Sequence, residues 1–62
     1  MTTERRNEIK QDYYKILKNK YKPEAIEWIN QQIFYLDMID RWDIEERTKF
    51  DVLIEIKKEI ME

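Results

Sequence analysis

Serine, cysteine, histidine and glycine are all missing from this chain. Their absence removes the familiar nucleophile and base pairs, the usual zinc ligands and the glycine loop that cradles phosphate. Three groups of residues remain that could do chemistry. Carboxylate pairs, Asp37 with Asp40 and Glu45 with Glu46, could hold a divalent cation or move protons, but magnesium and calcium need several convergent oxygens and no motif here arranges them. A solvated helix face is the preferred reading of these acids. No catalytic, metal or cofactor-binding residue is therefore expected, and the chain is read as a non-enzyme.

The second group is basic. Lys15, Lys18 and Lys22 are spaced to share a helix face, with Tyr14 and Tyr21 close by, and could touch phosphate and stack a base. A sequence pI near 5.2, an acidic middle segment and the lack of a helix-turn-helix or zinc motif count against nucleic acid. A solvated face or an acidic partner is preferred. The third group is aromatic and apolar: Trp28, Tyr35 and Trp42, spaced by sevens, with Phe34 and Met38 beside them. These rings either pack under a neighbouring helix or form an interface. Each can bury roughly 150–250 Å², so three left exposed would reach the largest patch of an ordinary monomer, about 300–600 Å².

The element that must position them is the stretch from Lys22 to Asp43, which holds the one proline, both tryptophans and the densest apolar run. A helix starting at Pro23 uses proline where its missing N–H is not needed, and Glu24 and Glu27 then complement the helix dipole. Ala25, Ile26, Ile29, Ile33, Leu36 and Ile39 fall on one face at about 100° per residue. Upstream, Thr2 or Thr3 is a candidate N-cap for a first helix running to about Asn19 or Lys20, with Ile9, Tyr13, Ile16, Leu17 and Tyr21 on its apolar face. Asn19 is the candidate left-handed C-cap, and Lys22 is expected outside the α region because proline follows it. Downstream, Asp43 and Glu46 form a capping box that starts a third helix at Ile44, although a continuous helix from Pro23 to Met61 is the alternative. In that third segment Phe50, Val52, Leu53, Ile54, Ile56, Ile60 and Met61 make a broad apolar arc, while Asp51, Glu55, Lys58, Glu59 and Glu62 make a polar one.

Sixty-two residues amount to one small helical domain, of a size that often needs a staple or a second subunit. Without cysteine or histidine, oligomerisation or docking on a partner is expected. Charged residues are 42% of the chain and aromatics 13%, which fits neither a disordered acidic tail nor a membrane protein. The first ten residues hold no apolar signal region. A cytoplasmic protein is expected, bacterial, or acting in the host cytoplasm if phage-encoded; the richness in Ile, Lys, Glu, Asn and Tyr suits AT-rich coding. The net charge of −2 is unevenly spread: Met1 to Lys22 carries seven bases against three acids, Pro23 to Glu46 one base against seven acids, and the remainder balances. The simplest use of that asymmetry is a basic helix lying against an acidic one.

Residues Asp12 to Ile33, DYYKILKNKYKPEAIEWINQQI, resemble the sporulation checkpoint family Sda. The matching positions are Tyr13, Tyr14 and Lys15 on the first helix, then Ile26, Glu27, Ile29 and Ile33 on the second. The resemblance implies an antiparallel helical hairpin that inhibits a sensor histidine kinase by docking on its helical dimerisation domain. The segment Phe50 to Met61 has no counterpart in that family and would cover part of a hairpin's surface. The expectation is an all-α chain, a hairpin closed by a third helix into a small three-helix bundle and dimeric. Its function is then non-catalytic: it binds and regulates another protein through Trp28, Phe34, Tyr35, Met38 and Trp42. A nucleic-acid module using Lys15, Lys18 and Lys22, or a purely structural homo-oligomer, is the alternative.

Overall fold

The computed structural model describes residues 3–62, and among them every regular element is a helix: α1, Thr3–Leu17; α2, Lys22–Asp37; α3, Ile44–Met61. Thr3 is already helical, so the cap expected of Thr2 lies outside the described residues. The first helix ends two to three residues earlier than its periodicity suggests. No described residue has a positive φ, so Asn19 is not a left-handed cap; the Lys20 N–H instead donates to the Leu17 carbonyl at 3.0 Å, a tight turn that satisfies one helix-end acceptor. The extended residue before α2 is Tyr21 (φ −72°, ψ 161°), not Lys22. Lys22 and Pro23 both lie in the first turn, which the Ala25 N–H closes onto the Tyr21 carbonyl at 2.8 Å.

The break between α2 and α3 is real and comes early. The second helix stops at Asp37, and the Met38 N–H bonds back to the Phe34 and Tyr35 carbonyls. The capping box closes in both arms: the Glu46 N–H donates to Asp43 Oδ1 at 2.8 Å, and the Asp43 N–H to Glu46 Oε1 at 3.4 Å. Trp42 is therefore not on the helix whose sevenfold spacing seemed to include it. Its indole N–H donates to the Leu36 carbonyl at 2.7 Å, and its ring lies 5.1 Å from that of Phe50 on α3. One side chain thus closes the end of α2 and pins it to α3.

The core consists of Ile9 and Leu17 from α1, Ala25, Ile29 and Leu36 from α2, and Val52, Leu53 and Ile56 from α3. Three of the four largest fully buried side chains, Val52, Leu53 and Ile56, belong to α3. Burying a side chain of this kind contributes roughly 1.5–3 kcal/mol, so α3 is the helix on which the others depend, and both α1 and α2 pack against it. The organising element is α3 rather than the Lys22–Asp43 stretch, because the broad apolar arc of α3 serves two neighbours at once. Contact between α1 and α2 includes an edge-on pair, Tyr13 and Trp28, with ring centroids 5.7 Å apart. Ile16, Tyr21, Ile39 and Met61, all expected on apolar faces, are exposed.

The basic helix finds its acids on α3, not on the acidic α2. Arg5 pairs with Glu45, Arg6 and Lys10 with Glu55, and Lys10 and Tyr14 with Glu59. Partners climb both helices together, so α1 and α3 run side by side in the same direction. Two of these acids, Glu55 and Glu59, come from the segment whose charges balance in the sequence, which is why summed charge pointed to the wrong helix.

Candidate protein-docking face

The apolar residues singled out as a candidate interface divide into two sets. Trp28 and Trp42 are half-buried and packed against the core, engaged by Tyr13 and by Phe50 with the Leu36 carbonyl. Phe34, Tyr35 and Met38 are 64%, 63% and 67% exposed. The wheel explains the division. Ala25, Ile29 and Leu36 centre the buried face of α2; Phe34 and Met38, one turn apart, lie almost opposite it, and Tyr35 lies on the flank between Phe34 and Trp28. This outer face forms an open groove with Pro23, Ile26, Phe34 and Tyr35 for apolar lining and Glu27 and Asn30 for polar. Exposed apolar side chains thus stand among Glu27, Asn30 and Gln31 on one face.

The carboxylate pairs are separated by the fold. Glu46 is held in the capping box and Glu45 by Arg5. Asp37 and Asp40 sit at the exposed turn after α2 and enter no ion pair among the described residues. No cluster of three or more acids among those residues is placed to hold a metal ion.

The lysines divide as well. Lys15 lies on the outer strip of α1 with Glu4, Glu8 and Asp12. Lys18 and Lys22 instead share a cleft of about 300 Å³ with Lys20, floored by Leu17, Ala25, Ile56 and Ile60. Lys20 is counted among the first segment's bases in the sequence but is not grouped with Lys18 and Lys22, because it does not fall on their helix face. The signal was the turn itself: Lys18 and Lys22 flank Asn19 to Tyr21 and Lys20 lies within that span, so they gather at one end of the bundle whatever their helical phase. Tyr14 lines the same cleft with its hydroxyl donating to Glu59, another lining residue, at 2.6 Å, while Tyr21 stands exposed.

Electrostatics sort the charges into used and unused. Hydrogen bonds from Arg6 and then Lys10 hold the Glu55 carboxyl below the usual range, and the Tyr14 hydroxyl with Lys10 does the same for Glu59. Reciprocally, Glu55 raises Lys10 above the ordinary lysine value, Glu45 and Glu8 raise Arg5, and Glu59 raises the Tyr14 hydroxyl. Burial pushes the Tyr13 hydroxyl up. Arg5, Arg6, Lys10 and Tyr14 with Glu45, Glu55 and Glu59 are spent on joining α1 to α3. No helix among the described residues is long and apolar enough to cross a membrane. No protein-family model, curated protein or solved structure matches this chain.

Proposed function

We propose that this chain is a small non-catalytic regulator that docks on another protein through the outer face of α2, with Phe34, Tyr35 and Met38 as the contact residues. The observation that carries the reading is their exposure on the side of α2 facing away from the core. Aromatic anchors of this type commonly dominate interface energy, and an exposed helix ridge fits a groove between helices of a partner. A helical dimerisation domain of a histidine kinase, the target implied by the resemblance to Sda, is the first partner to test. The finer architecture belongs to the same reading: α1 and α2 as a helical hairpin closed by α3, and the chain self-associating. Self-association is favoured by the further exposed apolar side chains Ile39, Ile44 and Met61.

The test places a photo-cross-linking amino acid at Phe34 or at Tyr35 in the cell that makes the protein, with Gln11 on the outer strip of α1 as the control position. Heterologous adducts from Phe34 and Tyr35, absent from Gln11, are expected. Adducts equal at all three positions, or none at the first two, would overturn the proposal. If the adduct is a histidine kinase, inhibition of its autophosphorylation by wild-type protein, and not by a Phe34→Ala, Tyr35→Ala variant, is the functional readout.

A further inference from the structure

The two ends of α2 carry opposite surfaces. At its start the cleft floored by buried Leu17, Ala25 and Ile56 is rimmed by Lys18, Lys20 and Lys22, with Tyr14 and Glu59, bonded to each other, also in its lining. The three lysines enter no ion pair among the described residues, whereas Arg5, Arg6 and Lys10 are all paired. Lys18 and Lys20 sit favourably at the negative end of the α1 dipole, which accounts for their placement and leaves their ammonium groups without a carboxylate. At the other end of α2, Met38 and Ile39 are 67% and 42% exposed between Asp37 and Asp40, with Arg41 next in the chain and Arg47 lining a shallow hollow with Ile39 and Asp40. An apolar floor with three lysines outside any ion pair among the described residues, and an apolar pair beside two aspartates equally outside one, match in both polarity and sign.

The two surfaces cannot meet within one molecule. They stand at opposite ends of a 16-residue helix, about 24 Å long at 1.5 Å per residue. A second copy can bring them together. We propose that the lysine-rimmed cleft of one copy receives the Asp37–Asp40 turn of another. Each molecule supplies a different surface to the contact, which on this proposal repeats head to tail from copy to copy. This deepens the self-association reading above and rests on it.

The experiment mixes two crippled variants. Lys18→Glu with Lys22→Glu reverses the rim and leaves the turn intact; Asp37→Lys with Asp40→Lys reverses the turn and leaves the cleft intact. All four residues are exposed, and circular dichroism confirms that helix content is kept; should a reversal unfold the chain, Asp37→Asn with Asp40→Asn and Lys18→Met with Lys22→Met replace the pair, each expected at single-chain mass alone and the two mixed at two chains and no more, since only one native contact then survives. Molar mass is read by light scattering over a hundredfold range of concentration at low salt. Wild-type protein is expected to exceed the 7.9 kDa of one chain increasingly with concentration, and less so as salt is raised. Each variant alone is expected at single-chain mass, and their equimolar mixture is expected to rise with concentration as the wild type does, because the native turn of one meets the native rim of the other and the reversed turn meets the reversed rim. A wild-type protein at single-chain mass throughout overturns this proposal and the self-association reading together. Wild-type association that either reversal leaves intact, or a mixture that stays at single-chain mass, overturns this proposal alone. Association lost on Phe34→Ala but indifferent to the lysines means a symmetric contact through the outer face of α2 and likewise overturns it.

Discussion

Replacing Trp42 by phenylalanine separates the two roles an exposed-looking tryptophan can play. The indole N–H bonds the Leu36 carbonyl at 2.7 Å, and the ring packs 5.1 Å from Phe50. Phenylalanine keeps a ring for Phe50 and loses the hydrogen bond, a net loss of about 0.5–1.5 kcal/mol. The Leu36 carbonyl still accepts from the Ile39 N–H at 3.1 Å, so no acceptor is stranded and the cost stays near 1 kcal/mol. In a domain of this size 1 kcal/mol moves Tm by roughly 4–8 °C. Trp42→Ala removes the packing too; full truncation of a core aromatic costs about 3–5 kcal/mol, and for this half-buried ring the lower part of that range applies. Since a small core rarely supplies more than about 3–5 kcal/mol in all, Trp42→Ala should be largely unfolded at room temperature. Thermal and urea unfolding followed by far-ultraviolet circular dichroism measures both. If Trp42→Phe and Trp42→Ala melt with the wild type, Trp42 is not the clamp that ends α2, and its ring is a free contact residue after all.

Two further outcomes follow from the charges and the caps. Because Glu55 and Glu59 have depressed pKa values in the folded chain, folding releases protons from them. Their contribution is complete above the ordinary glutamate value of roughly 4.3 and is lost as pH falls through the lower folded values. Tm should therefore hold level near neutrality and drop in acid below about pH 4, and Arg6→Met with Lys10→Met should flatten that drop; an unchanged acid slope in this variant would refute the assignment. Asp43→Ala removes the side-chain acceptor of the Glu46 N–H and should cost about 0.5–2 kcal/mol, with Asp43→Asn recovering most of it. Equal losses in both variants would show that the cap contributes through something other than this hydrogen bond.

What could be read from the residues alone was whatever is local. The helical period, Pro23 in a first turn and the Asp43 to Glu46 box each depend on neighbours within a few residues, and each appears at or next to its expected place. The division of the aromatics was illegible because it hangs on a non-local event. Trp42 leaves the helix and turns back on Leu36, so the sevenfold spacing linking it to Trp28 and Tyr35 has no helix to carry it. The pairing of α1 with α3 was hidden for a similar reason: charge summed over a segment says nothing about which face a glutamate occupies, and Glu55 and Glu59 meet Lys10 only once α3 lies beside α1. Lys20 became part of a cleft through the geometry of a turn that no wheel describes.

The position of α3 in the chain has a consequence for biosynthesis. Both earlier helices lean on a third that is translated after them, and the contacts joining α1 to α3 span 40 to 49 positions. During elongation α1 and α2 emerge with Ile9, Leu17, Ile29 and Leu36 lacking the surface that buries them, and closing so long a loop must precede the contacts that reward it. The native state thus forms after synthesis of α3, cooperatively, instead of helix by helix from the first.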